Sequence, residues 1–437
     1  PTEHGEVFVL DDGMECDQDM GNYERFLDRN LTKNNYMTTG SIYQTVINRE
    51  RSLAYKGKCV EVVPHIPLEV LDKIKSAAHK NKAEIAITEI GGTVGEYQNI
   101  LFLEAVRMLK LKNPSDVLLV LVSYLPFISA AGELKTKPTQ YAVKTLNYAG
   151  LQPDIIIART AFSVDKKRKE KIAFNCGLKE EEIISASDVD NIYKIPINFE
   201  KDNLSAVITK KLNIKPRKKD LKEWKKFIVK TEGAKGTVKI GIAGKYFTTG
   251  DFILTDSYIS IIEAIKHATY FFEKRPIIEW LNVEEFSAKD EKRQDLSTLE
   301  KFDGIIVPGG FGDRGVEEKI AVINYCRKKQ IPYLGICYGM QLAIVEYARN
   351  AARLKDAHTT EVNPKTPHPV IDILPEQKNN LSKKDYGGTM RLGAYHAQLK
   401  KGSIAQIAYN SNVISERHRH RFEVNPDYIN KLERAGV

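Results

Sequence analysis

The stretch "YLGICYGMQ", residues 333–341, sets one cysteine between two glycines, after an apolar run and ahead of a helical pattern. Two readings of Cys337 stand at this point. A free cysteine is most often a small buried hydrophobe. The form Gly-x-Cys-x-Gly is also that of a nucleophile on a tight strand-to-helix turn. There Gly335 and Gly339 would allow the bend and close packing, and the helix N-terminus would favour thiolate and lower the thiol pKa. One strand earlier, "VPGGFGDRG" (307–315) is a second glycine-rich strand end. Its backbone N–H groups could stabilise an oxyanion on a carbonyl attacked by the thiol. On adjacent strands, the two elements together favour the nucleophile.

Outward from this turn, "TVKIGIAGKY" (237–246), "PIIEWL" (276–281), "GIIVPGG" (304–310) and "PYLGIC" (332–337) read as strands. Tyr258, Ile262, Ile265, Thr269 and Phe272 have helical spacing, with Thr255 or Asp256 as the cap. The first half alternates in the same way. Its candidate strands are "VFVL" (7–10), "CVEVVP" (59–64), "EIAITEI" (84–90), "VLLVLVS" (117–123), "DIIIA" (154–158) and "EIIS" (182–185), with amphipathic stretches at 99–111 and 137–149. Strand–helix alternation argues for a doubly wound parallel sheet, with ligands beyond the carboxyl ends of the strands. Residues 214–236 lose periodicity and turn basic, which reads as a linker with one helical piece around Trp224. The expected class is α/β, with two doubly wound parallel-sheet domains at 1–213 and 237–437 joined by 214–236.

The length of 437 residues suits two or three domains. Five scattered cysteines without a CxxC pair argue against a disulfide framework or structural zinc and fit a reducing cytoplasm. The apolar run 117–131 is too short and interrupted to span a bilayer, and the opening residues do not read as a signal peptide. The net charge of +9 would suit a phosphate-rich partner. The basic runs "KKRKEK" (166–171) and "KPRKKDLKEWKK" (215–226) are interspersed with acids and carry no nucleic-acid motif, so they read as solvated surface. Neither nucleic acid nor membrane is expected as a partner.

"PGGFG…GICYGMQ" resembles the class I glutamine amidotransferase domain. "HTTEV" (358–362), "GTMRLGA" (388–394) and "ERHRHRFEVN" (416–425) narrow the resemblance to the CTP synthase family. By that resemblance Cys337 attacks the glutamine side-chain amide and releases ammonia. Gly310, Tyr338, Gly339, Met340 and Gln341 would hold the substrate, Glu361 would read its amino group, and Arg421 its carboxylate. A free amino acid needs one anion and one cation, and Arg binds a carboxylate bidentately. The chain departs from the family at Tyr338, where Leu is usual, and at Phe422, where Tyr is usual. The family's base is the His of a downstream "HPE" motif, and the chain stops at Val437 before one. His418 and His420 belong to the substrate-binding stretch and do not replace it.

In the first half, "ELKTKPTQ" (133–140) gathers cations and hydroxyls at a strand's carboxyl side, and Pro138 suits a helix first turn. By resemblance Lys135, Thr136, Lys137, Pro138, Thr139 and Gln140 bind the UTP and CTP triphosphate at a subunit junction, and Lys171 adds a contact. "TEIGGTVGEYQN" (88–99) is a strand, an acid and a glycine-rich loop. Glu89 suits Mg²⁺, with Asp19 as its partner by resemblance. Asp19 alone would read as part of a solvated acidic loop. Glu96, Tyr97 and Gln98 occupy the pyrimidine-nucleotide loop, where many relatives carry Asp-Ile-Glu. Arg159, Asp188 and Val189 match the surroundings of the ATP adenine, with Ser187 where others have Lys. Asp19 also counts among the ATP-binding positions. His4 matches a gate on the ammonia route, or is a satisfied core histidine.

The resemblance implies an enzyme that phosphorylates the uracil O4 of UTP with Mg·ATP and displaces the phosphate with ammonia, giving CTP. It also implies a cytoplasmic homotetramer, with GTP as activator and CTP as feedback ligand. The family opens on a glycine-rich P-loop that precedes "PTEHGEVFV", so the chain reads as a member with both ends absent. The alternatives are another glutamine-dependent ATP ligase and a non-catalytic chain that binds nucleotides or assembles.

Overall fold

The computed structural model describes residues 5–216, 220–244, 248–249, 252–253, 255–286, 295–377 and 388–437. His4 lies outside the described residues. The chain forms two compact units, Met37–Val229 and a second made of Pro1–Tyr36 with Lys230–Val437. The opening 36 residues cluster with the C-terminal half.

In the unit Met37–Val229, strands Val120–Tyr124, Ile155–Thr160 and Ile183–Ser187 form a parallel sheet with Ile155–Thr160 in the middle. Ile155, Ile156 and Ala158 of the middle strand are fully buried, as expected for a strand covered on both faces. On one face Ile156 and Ala158 pack with Val143 of the helix Lys137–Tyr148 and Ile172 of the helix Lys166–Cys176. On the other, Ile155 and Ile184 pack with Val207 of the helix Leu204–Lys211. Helices Thr39–Arg51, Val62–Lys80 and Ile100–Lys112 share a separate core through Ile42, Val46, Ile66, Val70 and Ala105. The helical piece around Trp224 is the helix Lys222–Glu232, whose indole donates to the Tyr193 carbonyl at 2.7 Å.

Two expected strands of this unit are not strands. Residues 59–64 lead into the helix Val62–Lys80. Pro64 cannot donate to a ladder, and Ile66, Val70 and Ile74 continue at helical spacing into the three-helix core. Residues 84–90 have strand alternation but pair with no strand among the described residues, and Ile85 and Ile87 stay exposed. Alternation marks a segment able to pair; a neighbouring ladder must complete it.

The other unit has four parallel strands in the order Arg275–Asn282, Thr237–Gly244, Gly304–Val307, Tyr333–Gly335. Helices Val316–Lys329 and Tyr338–Asn350 cover one face through Val316, Ile320, Ile323, Leu342 and Val345. The helix Ile259–Phe271 covers the other through Ile265, beside Ile242 and Ile306. Its expected cap at Thr255 or Asp256 moves. Thr255–Tyr258 makes a 3₁₀ turn, Tyr258 is the N-cap, and Phe272 lies past the helix end, exposed. A smaller sheet joins His358–Thr359, Pro369–Ile373 and Phe422–Val424, and Arg391–Gln398 pairs antiparallel with Val413–His420. The opening segment adds the hairpin Val7–Val9 with Glu15–Asp17 and the helix Asp19–Leu27.

Candidate active site

Cys337 sits between the strand Tyr333–Gly335 and the helix Tyr338–Asn350 at φ 55, ψ −109. That is a strained backbone for a residue with a side chain. The strain is held by close packing that only glycine allows. A Cβ on Gly339 would fall 2.0 Å from the Val307 carbonyl oxygen, and one on Gly335 2.6 Å from Gly339 and Met340 backbone atoms. Tyr338 is buried, and its hydroxyl donates to the Gly312 carbonyl at 2.7 Å. The nucleophile turn is thereby tied to the glycine loop that follows Gly304–Val307. A Cβ on Gly309 would lie 3.7 Å from the Cys337 sulfur.

Burial pushes the Cys337 thiol up to about 11, against hydrogen bonds from Tyr338 and Gly310 backbone N–H groups and the positive charge of Arg419. The expected lowering at a helix N-terminus is thus outweighed by desolvation. The resting sulfur is a thiol flanked by two backbone donors. These are the groups an oxyanion hole requires.

The cavity at the sulfur has a volume of about 160 Å³, and Gly310, Gln341, Glu361, Arg419 and Arg421 line it with Phe311 and His420. Glu361 accepts from the Gly312 N–H at 2.9 Å. Arg421 donates to Gln377 and Thr389 at 3.1 and 3.3 Å. An anion and a cation thus face one cavity beside the thiol. Gln341 donates its amide to the Phe422 carbonyl at 2.9 Å, so it also anchors the cavity wall. Gly339 and Met340 do not line the cavity; Gly339 acts through packing. His420 and His418 approach with Nδ1 atoms 3.2 Å apart. Burial, His418 and Arg391 bring His420 down to about 4. An imidazole with so acidic a conjugate acid is a poor base toward a thiol near 11, in keeping with its placement in the binding stretch.

Sequence reasoning missed Phe311 and Arg419. The available signal was the period of two in "RHRHR". A strand alternates its faces, so Arg417 and Arg419 of the strand Val413–His420 share one.

In the unit Met37–Val229, residues 135–140 open the helix Lys137–Tyr148, with Pro138 in its first turn. Thr136 and Thr139 are buried, and Thr139 accepts from Ser123 at 2.9 Å. Lys137 is exposed, while Lys135 and Gln140 are partly so. Lys135 pairs with Glu133, and Lys135, Arg168 and Lys171 hold that carboxyl below the usual range. One acidic group therefore sits where cations converge at a helix N-terminus, a place suited to an anion. Glu96, Tyr97 and Gln98 form the turn before the helix Ile100–Lys112, with Gln98 bonded to Glu96 and Tyr97 exposed. Arg159 and Asp188 lie 3.9 Å apart at the carboxyl ends of adjacent strands, next to Val189.

Asp19 and Glu89 belong to different units. Burial, with the charges of Asp17 and Asp256, raises the Asp19 carboxyl, so a bound cation would relieve an acidic cluster there. Glu89 is exposed. No group of three or more His, Cys, Asp or Glu suited to a metal occurs among the described residues. Mg²⁺ does not require one, since it takes one or two carboxylates with phosphates.

The parallel sheets with helices on both faces and the cysteine elbow against a glycine loop define an α/β protein with a class I glutamine amidotransferase domain. The family model "Glutamine amidotransferase class-I" matches residues 253–436, and "CTP synthase N-terminus" matches residues 1–214. A CTP synthase of Halalkalibacterium halodurans is 46% identical over 437 residues, covering 100% of this chain and 80% of that one. CTP synthases of Pyrococcus furiosus and Methanocaldococcus jannaschii are 47% and 48% identical, each over 100% of this chain and 79% and 80% of theirs. The chain belongs to the CTP synthase family. No helix of the described residues is long and apolar enough to cross a membrane.

Proposed function

We propose that the protein makes CTP from UTP, taking ammonia from glutamine at Cys337 and activating UTP with ATP. The observation that carries the amidase half is the strained cysteine with Tyr338 and Gly310 N–H groups at its sulfur and Glu361 and Arg421 on its cavity. Glu361 takes the glutamine ammonium and Arg421 its carboxylate, which directs the side-chain amide to the sulfur. The Cys337 thiol gives up its proton as the sulfur adds to the amide carbon, and the two N–H groups receive the oxyanion. Collapse passes that proton to the leaving nitrogen, breaks the C–N bond, releases ammonia and leaves a thioester. Water then cleaves the thioester, giving glutamate and free thiol.

In the synthetase half, Lys135, Lys137 and Lys171 bind the UTP triphosphate, and CTP takes the same phosphate contacts. Glu96, Tyr97 and Gln98 face the pyrimidine nucleotide, and Arg159 and Val189 the adenine of ATP. Glu89 would hold Mg²⁺, which when bound neutralises phosphate charge during transfer. The γ-phosphoryl group passes from ATP to the uracil O4, and ammonia then displaces that phosphate at C4. We extend to this protein the family's GTP activation, CTP feedback, homotetramer and cytoplasmic location.

The test is covalent capture with a glutamine-derived diazoketone. The adduct is expected on Cys337 by peptide mass spectrometry, with glutamine-dependent CTP formation lost and ammonia-dependent formation kept. An adduct on another cysteine, or loss of both activities, would refute the assignment.

A further inference from the structure

Arg419 lines the thiol cavity, yet the residue that holds it comes from the opening segment of the chain. Its Nε donates to Glu15 at 2.7 Å, and its guanidinium lies 5.4 Å from the Phe311 ring centroid. Glu15 and Arg419 are only 23% and 27% exposed. A pair so far withdrawn from water is screened less than a surface ion pair.

The contact belongs to a larger docking. Arg417, two residues earlier on the same strand face, pairs with Asp11 and with Glu24 at 2.7 Å and covers the Phe8 ring. Ala394, opposite Arg417 in the hairpin, donates to the Asp11 carbonyl at 2.9 Å. At Gly393, with φ 94, an added Cβ would fall 2.7 Å from that same oxygen. Backbone therefore meets backbone here. Glu15 is held opposite Val9 in the short hairpin. Its backbone is thus held in place, and its carboxylate meets the Arg419 guanidinium, which also lies against Phe311.

We propose that Glu15 is a positioning residue of the amidase pocket, acting through Arg419, whose guanidinium it holds at the wall of the Cys337 cavity. The residue sits in the stretch matched by the CTP synthase N-terminal family model, not the amidotransferase one. The pocket is thus completed by a segment far from it in sequence. The charge matters because Arg419 is one of the influences pulling the thiol pKa down against burial, while Glu361 pushes it up. Tyr338, Glu361, Arg419, His420 and Arg421 are the charged or titratable side chains that line the cavity with the sulfur. With Glu15 gone, Arg419 gains freedom to leave the cavity wall, and the thiolate loses a fixed positive charge.

This inference rests on Cys337 being the thiol that attacks glutamine. The experiment is a double-mutant cycle in the enzyme with Glu15→Ala, Arg419→Ala and the pair. Alkylation of Cys337 by iodoacetamide is followed by mass spectrometry across pH, beside KM and kcat for glutamine. Ammonia-dependent CTP synthesis and the melting temperature report the fold. Glu15→Ala is expected to slow Cys337 alkylation at pH 8 roughly three- to tenfold, since thiolate is the reacting form, and to move its profile alkaline. It should raise KM for glutamine while ammonia-dependent synthesis persists. In the Arg419→Ala background it should add nothing. Glu15→Gln, which keeps an acceptor, should show a smaller effect of the same sign and serves if Glu15→Ala does not fold. An unchanged alkylation profile, or an equal effect of Glu15→Ala with and without Arg419, would overturn the proposal. Because alkylation reads the thiol itself, a changed profile with unaltered glutamine kinetics would count against Cys337 as the glutamine nucleophile and not against the contact.

Discussion

Replacing Gly339 by alanine is expected to separate the two halves of the reaction. The new methyl would sit 2.0 Å from the Val307 carbonyl oxygen and 2.8 Å from its carbon. Both are backbone atoms of a central sheet strand and cannot rotate aside. Ordinary contact begins at 3.4 Å, so about 1.4 Å must open between strand and helix. The helix start carries the Tyr338 N–H at the sulfur, so that donor moves with it. A displacement of about 1 Å in a reacting geometry costs on the order of 10²-fold. Overpacking of this kind costs about 1–3 kcal/mol, which for a unit of this size is a melting shift of several degrees. The assay is CTP formation by absorbance, with glutamine or ammonium chloride as nitrogen donor, beside a thermal melt. Glutamine-dependent turnover is expected to fall about 10²-fold, with ammonia-dependent turnover largely kept. Wild-type use of glutamine by Gly339→Ala would show that the elbow tolerates the shift, and the packing argument would fail.

Lys135→Ala and Lys137→Ala, taken separately, should each weaken UTP and CTP binding by about 1.5–3 kcal/mol in calorimetric titration, with unchanged circular dichroism. Unaltered titrations for both would remove the triphosphate assignment. Glu89→Ala should abolish CTP synthesis from ammonia while glutamine hydrolysis continues, and equal loss of both would assign Glu89 a structural role. His420 titrates near 4 in the folded protein against an ordinary 6.5. The unfolded chain therefore binds more protons between those values, and stability rises with pH across that window. His420→Gln should flatten the slope of melting temperature against pH from 4 to 6.5, and an unchanged slope would contradict the burial of a neutral ring.

The cysteine elbow was legible because glycine spacing around a turn is a local constraint: Gly335 and Gly339 are required by contacts within two strands and one helix. The parallel strands also followed from strand–helix alternation, as at Ile155–Thr160 and Gly304–Val307. Residues 59–64 misled because β-branched content outweighed Pro64, while the apolar period beyond it belonged to a helix. Residues 84–90 misled because a strand is made by its neighbour. The thiol's pKa was misjudged in direction because a helix end is visible in sequence and the depth of burial is not. Arg419 escaped notice since its partner Glu15 is 404 positions away, a pairing that no spacing rule reaches.

The central claim is that Cys337 carries the glutamine chemistry and that the other half of the reaction does not need it. Cys337→Ala removes one sulfur atom from a turn whose shape is set by neighbouring glycines. The account predicts that this enzyme variant hydrolyses no glutamine, makes CTP from added ammonia at close to the wild-type rate, and melts within a few degrees of it. Were Cys337 only a packing residue, the substitution would leave a small void costing about 1 kcal/mol, and glutamine would still be used. Glutamine-dependent CTP formation at near wild-type rate in Cys337→Ala would contradict the account.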